Sequence, residues 1–128
     1  MRIAAKPMRQ YAWYRPGPDD GVERFRAHVI ESSTQEGASV LIVNYSRRAL
    51  GQTGDGHFSP IGGYHAASDR VLVLDTARFK YPPHWVPVEL LFAAMQAQDG
   101  ATGQSRGWLG LRARLVDRGA VFSNSPLQ

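Results

Sequence analysis

The 128-residue chain contains no cysteine. That excludes disulfides, thiolate metal sites and cysteine nucleophilic chemistry from within the chain itself. No apolar run approaches the roughly 18 residues that a bilayer span requires, and the N-terminal MRIAAKPMRQ has no signal-peptide h-region, so a cytoplasmic protein without membrane contact is expected. Internal repeats are absent as well. Charge is modest, 20% of residues against 43% hydrophobic, which is the balance of a globular chain rather than a disordered one. At this length, one domain or part of one is expected. A net charge of +4 raises the question of nucleic acid. The arginines and lysines are scattered, however, and no aromatic–basic string reads as an RNA-binding signature. An anionic small molecule suits them better, and no nucleic-acid partner is expected.

The chain is well supplied with punctuated β and α patterns. Gln10–Arg15 has strand-like aromatic content and stops at Pro16-Gly17-Pro18. Asp20 is placed to cap a helix, with Glu23 three residues on as in a capping box; Val22, Phe25, Arg26, Val29 and Ile30 form its stripe, and it ends in Ser32-Ser33-Thr34. Ser39–Tyr45 is a near-continuous β-branched run, which predicts a central strand buried on both faces. A polar, Gly-rich connection covers 47–56, followed by a hairpin of His57–His65 and Arg70–Asp75. Pro82-Pro83 forces an extended turn, and Pro87 suits the first position of a helix reaching about Gln98 through Leu90, Leu91, Ala94 and Met95. A loop from Asp99 to Ser105 leads to a last strand over Arg106–Leu115; the tail from Val116 has no clear pattern. Seven elements in this order predict an α+β layer of strands with helices packed on it.

Chemistry concentrates in the hairpin. With its turn at Ala66-Ala67-Ser68-Asp69, the opening residue His57 and the closing residue Asp75 lie on neighbouring strands and can meet. A carboxylate on one imidazole nitrogen orients the ring and leaves the other to take a proton from a nucleophile. The glycines of Gly54-Asp55-Gly56 let a backbone approach a ligand and expose the next side chain. Taken alone, His57 is more often a structural or surface histidine, and Asp75 a strand-terminal aspartate making a turn with Thr76 and Ala77. An aspartate closing the apolar run Val71–Leu74 is costly unless paired, however, and His57 is the expected partner. His28, His65 and His84 fit no compact metal motif with His57, so no metal ligands are expected. Tyr64 and Tyr81 read as packing residues. Arg78 and Lys80 are either an anion-binding rim or a solvated face.

Asn44-Tyr45-Ser46-Arg47-Arg48, Gly51-Gln52, Gly56-His57-Phe58-Ser59-Pro60, the run Asp75–Trp85 and Arg106-Gly107 resemble, in order and spacing, the phytochelatin synthases. These are glutathione γ-glutamylcysteinyltransferases with a papain-like fold, and the resemblance runs from about Asp20 to about Leu111. It implies the strand-rich half of a papain-like cysteine-peptidase fold, in which His57 is the catalytic base and Asp75 its orienting acid. It further implies a γ-glutamyl pocket formed by Gly56, Asp99, Gly100 and Arg106: an aspartate matches an α-ammonium, and a guanidinium fork matches a carboxylate. The implied partner is glutathione. The implied metal is a heavy-metal ion, cadmium or zinc, free or as a glutathione complex, in heavy-metal detoxification; no covalently bound cofactor is implied.

The family's nucleophilic cysteine and oxyanion glutamine belong to a helical lobe that this chain does not contain; Gln52 sits in the wrong segment for the oxyanion role. Residues 1–19 match poorly, 20–115 correspond to the C-terminal lobe of the catalytic domain, and 116–128 form a tail. The expectation is therefore a C-terminal fragment or split-gene half, inactive alone, whose partner is the missing cysteine-bearing lobe or another copy of itself. The different-class alternative is a non-catalytic module that binds glutathione through its γ-glutamyl group.

Overall fold

A computed structural model describes residues 11–34 and 39–112. The elements are β1 (Tyr11–Tyr14), α1 (Val22–Thr34), β2 (Ser39–Ser46), a 3₁₀ turn (Arg48–Leu50), β3 (Gly56–His65), β4 (Arg70–Val73), β5 (His84–Pro87), α2 (Val88–Gln96) and β6 (Gly107–Arg112). The six strands form one antiparallel sheet in the order β1-β6-β2-β3-β4-β5. The fold is α+β and is consistent with the strand-rich half of a papain-like domain. None of the described helices is long and apolar enough to cross a membrane. The expected strand ends at Gln10 and Leu115, and the tail from Val116, lie outside the described residues.

Both helices cover one face of the sheet. Leu41, Val43 and Tyr45 of β2 meet Phe25 and Val29 of α1, Leu91 and Met95 of α2, and Trp108 of β6 in a single core. Phe25 lies 5.1 Å from the Trp108 ring, and the Trp108 indole N–H donates to His28 Nδ1 at 2.8 Å. His28 thus anchors α1 to the core rather than sitting on an isolated helix surface. The opposite sheet face has no cover among the described residues, and Trp13 (46%) and Phe58 (50%) are exposed on it with ring centroids 6.4 Å apart. This corrects the expectation for β2. It is central but buried on one face only, because helices pack on one side.

Three further differences have local causes. Strand β5 is absent from the sequence-based expectation. It is the sheet's edge, where Pro87 at its end removes no interior ladder bond. In α2, Pro87 is the cap rather than the first helical residue, Leu90 points outward at 42% exposure, and Phe92 turns inward instead. Asp20 does not cap α1: the Gly21 carbonyl accepts the first N–H groups, from Arg24 and Phe25, while the Asp20 carboxylate pairs with Arg24 at 3.1 Å. Glu23 reaches forward to Arg26 at 2.7 Å rather than back to close a capping box.

The hairpin that carries His57 and Asp75 is tied down at its turn. Asp69 stands at φ 54°, in the left-handed region that aspartate tolerates. Its carboxylate accepts Arg26 Nε and Nη2 at 2.9 and 2.8 Å and the Tyr64 hydroxyl at 2.7 Å, and its carbonyl accepts the Val88 N–H that opens α2. A register shift between Ile61 and Gly63 then bends β3. A Cβ on Gly62 would lie 2.8 Å from Leu74 side-chain carbons, so a larger residue there would have to displace that side chain.

Candidate functional site

Asp75 does not close the second hairpin strand as expected: β4 ends at Val73, and Asp75 lies two residues beyond it with its carboxylate wholly removed from solvent. His57 Nε2 is 3.1 Å from Asp75 Oδ1 and 3.0 Å from Thr76 Oγ1. A carboxylate only accepts, so Nε2 carries the proton, shared between these two oxygens, and Nδ1 carries the lone pair. Nδ1 has no partner among the described residues. Tyr45, paired with His57 across β2 and β3, presents its ring edge-on to the imidazole at 6.0 Å. Burial, and then the charge of Arg47, lower the His57 pKa below its ordinary value, against the opposing pull of Asp75. Burial thus favours the neutral imidazole, and the hydrogen bonds leave it one tautomer and an open nitrogen.

His57 meets Asp75 as expected from sequence, but it is not the only partner of that carboxylate. Arg47 Nη1 and Nη2 each donate to the carboxylate at 2.8 Å, and the Ala77 N–H adds a bond of 2.8 Å to Oδ1. The Tyr45 hydroxyl stands 3.5 Å from Oδ2 and 3.1 Å from Ser59 Oγ. This arginine pair, above all, holds the Asp75 pKa down at about 2. Sequence reasoning gives Arg47 no role. A signal for it exists in the alternation of β2: residues 41, 43 and 45 point into the core, and position 47 continues that face.

A second group of expected residues comes together around one cavity of about 550 Å³, lined by Gly56, Asp99, Gly100 and Arg106 with Asn44, Ser46, Phe58 and others. Arg106 Nη1 donates to the Ala97 and Gln98 carbonyls at 3.0 and 2.9 Å, which satisfies the end of α2. Its Nε and Nη2 find no acceptor among the described residues. They lie against Gly56, where an added Cβ would sit 2.9 and 2.8 Å away. Asp99 Oδ1 is spent on the Ala101 N–H at 3.0 Å, forming the loop's turn, while the residue stays half-buried at the cavity wall. The cavity thus offers two free guanidinium donors and a carboxylate, a pairing suited to an amino acid's carboxylate and ammonium groups. His57 and Asp75 do not line it; His57 adjoins it through the neighbouring Gly56.

The other candidates are placed elsewhere. His65 bonds Ser68 Oγ at 2.7 Å at the far turn of the hairpin. Arg78 and Lys80 are exposed, on either side of an exposed Phe79. Tyr81 packs its ring on Arg47 at 4.6 Å and takes the Thr53 N–H at 2.9 Å. Among the described residues, no three His, Asp or Glu side chains converge as metal ligands would.

The family profile for phytochelatin synthase matches residues 3–108. Over 88 residues the chain is 57% identical to glutathione γ-glutamylcysteinyltransferase 3 of Lotus japonicus and 52% identical to glutathione γ-glutamylcysteinyltransferase 2 of Arabidopsis thaliana. Each match covers 69% of the chain, and 18% and 19% of the respective relative. Identity to the glutathione γ-glutamylcysteinyltransferase of Schizosaccharomyces pombe is 42% over 103 residues, which is 80% of the chain and 25% of that protein. The chain thus spans a quarter or less of the length of these relatives.

Proposed function

The chain belongs to the phytochelatin synthase family, and we propose that it supplies the base and the γ-glutamyl pocket for acyl transfer from glutathione. The observation that carries this reading is geometric: His57 Nε2 stands 3.1 Å from the carboxylate of a fully buried Asp75, and Nδ1 is open. The thiol belongs to a cysteine-bearing helical lobe, supplied by a longer polypeptide or a separate one, since the present sequence has no cysteine. Nδ1 takes the thiol proton, the thiolate attacks the Cys–Gly carbonyl carbon, and the tetrahedral adduct collapses as the imidazolium returns the proton to the departing glycine amine. The γ-Glu-Cys acyl group then passes to the amine of a second glutathione, lengthening the chain, or to water. Arg106 Nε and Nη2 hold the γ-glutamyl carboxylate, Asp99 the ammonium, and Gly56 and Gly100 let the ligand lie against the backbone.

Cadmium or zinc enters this scheme as substrate, carried as a thiolate complex of glutathione, in heavy-metal detoxification within the cytoplasm. The exposed apolar residues Trp13, Val40 and Phe58 on the uncovered sheet face offer the cysteine lobe a seat, and in its absence they favour self-association. The second reading, a non-catalytic glutathione-binding module, draws on the cavity alone.

Reconstitution decides between the two. The chain alone, given glutathione and cadmium or zinc, should release no glycine by chromatography; adding the cysteine lobe in trans or by fusion should start release. In that assembly Arg106→Ala should penalise glutathione far more than a substrate lacking the γ-glutamyl carboxylate, by about 2–5 kcal/mol if the pair is desolvated. Glutathione binding without turnover in every assembly would support the binding module instead.

A further inference from the structure

Arg47 is nearly buried at 6% exposure, and the chain is built around it. Its N–H donates to the Asp55 carbonyl at 2.9 Å, while its carbonyl accepts the Leu50 and Gln52 N–H groups at 3.0 Å each. Gly51, at φ 78°, turns the chain so that Gln52 comes back over the guanidinium. Gln52 Oε1 accepts Arg47 Nη1 at 2.7 Å. The other end of that amide, Nε2, faces His84 Nε2 at 3.3 Å, and His84 Nδ1 lies 2.9 Å from the Pro82 carbonyl. A carbonyl only accepts, so His84 Nδ1 carries a proton and its neutral Nε2 accepts the Gln52 amide. Every donor in the chain Pro82–His84–Gln52–Arg47–Asp75–His57 therefore has one assigned direction. The face of the guanidinium is closed by the Tyr81 ring.

This arrangement decides how the Asp75 charge is shared. A buried carboxylate whose one partner was an imidazole would draw a proton onto that imidazole, and a protonated His57 is no base. The groups facing His57 are Asp75, the Arg47 charge behind it, the Tyr45 ring and the Thr76 hydroxyl. Of these, Arg47 alone opposes protonation by charge. Resting on the acyl-transfer reading above for its consequence, we infer that Arg47 is a positioning residue: it keeps Asp75 ionised and turned so that His57 stays neutral with its proton on Nε2, and Gln52 and His84 hold Arg47 in place.

The test is a histidine tautomer and titration measurement on the full chain, by long-range ¹H–¹⁵N NMR of its four histidines. Wild type should show His57 neutral at pH 7 with the proton on Nε2. Arg47→Ala should move the His57 midpoint upward while His28 and His65, remote from the network, stay put; Arg47→Lys, which keeps charge but not the fork, and Gln52→Ala should move it upward by less. The Trp108 indole signal reports whether each variant is folded, and if Arg47→Ala unfolds, the order Arg47→Lys above Gln52→Ala above wild type carries the result. An unmoved or lowered His57 midpoint in the folded variants overturns the inference and leaves Arg47 as a neutraliser of buried charge. In the assembly with the cysteine lobe, the acid limb of kcat against pH should move with the NMR midpoint while KM for glutathione holds. An NMR shift with no turnover in any assembly would uphold Arg47's control of His57 and discard the acyl-transfer reading.

Discussion

Replacing Asp75 by asparagine removes one charge from a buried polar cluster, and the structure allows the cost to be worked in two ways. The carboxylate titrates at about 2 in the folded chain against 3.8 for an ordinary aspartate. At about 1.36 kcal/mol per pKa unit, this group alone stabilises the fold by roughly 2 kcal/mol near neutrality. Because the folded value is the lower one, that stability is complete above pH 3.8 and is lost as pH falls toward 2. Substitution costs more than the titration, because the new amide would turn an N–H₂ toward one arm of the Arg47 fork and leave a guanidinium of 7% exposure without a counterion. Breaking a buried pair from one side typically costs about 3–5 kcal/mol. Urea denaturation followed by tryptophan fluorescence at a series of pH values measures both. Asp75→Asn should lose about 3–5 kcal/mol at pH 7, and its deficit against wild type should shrink by roughly 2 kcal/mol on going from pH 5 to pH 2. A variant as stable as wild type at pH 7, or a deficit constant down to pH 2, would refute the assignment of Arg47 and Asp75 as a desolvated pair.

Other consequences are as direct. Gly56→Ala places a methyl 2.8 Å from Arg106 Nη2 and must push the guanidinium aside; binding of glutathione, read by calorimetry, should weaken while the melting transition moves little. Asp69→Ala loses the Arg26 and Tyr64 bonds and puts alanine at φ 54°, which should cost about 2 kcal/mol in urea melts, and Asp69→Gly should recover about 1 kcal/mol by relieving the backbone alone. Burial lowers the His28 pKa from 6.5, and protonation would turn the acceptor of the Trp108 N–H into a donor. Stability should therefore be full above pH 6.5 and decline below it, and His28→Gln, an amide that can accept the indole N–H, should flatten part of that decline, with the lowered His57 accounting for another part.

Much of this was legible in the residues. Alternation and turn chemistry located the hairpin, and hairpin geometry alone brought His57 and Asp75 within reach of each other. What stayed hidden depends on packing between distant segments. A near-continuous β-branched and apolar run such as Ser39–Tyr45 reads as buried on both faces, but burial is decided by what packs there, and both helices pack on one side. The four residues of β5 lie between Pro83 and the helix that follows Pro87, and these prolines argue against a strand unless it is an edge. Arg47 reads locally as one of two arginines opening a polar loop. The alternation of β2 puts position 47 on the inward face, but no local pattern reveals that it meets Asp75 there or that the loop after it turns Gln52 back to hold the guanidinium. Gly56, Asp99, Gly100 and Arg106 were grouped from resemblance alone; that they line one cavity, with Arg106 laid against a glycine that leaves room for it, required the fold.

In the proposed function His57 takes a thiol proton through Nδ1 and returns it to glycine. Single-turnover release of glycine from glutathione, in the chain assembled with its cysteine lobe and compared with the same assembly carrying His57→Ala, measures that step alone. Acylation by the variant should fall to background at neutral pH, and it should recover partly at alkaline pH, where the thiol ionises without a base. Glycine released by His57→Ala at the wild-type rate at pH 7 would contradict the claim outright.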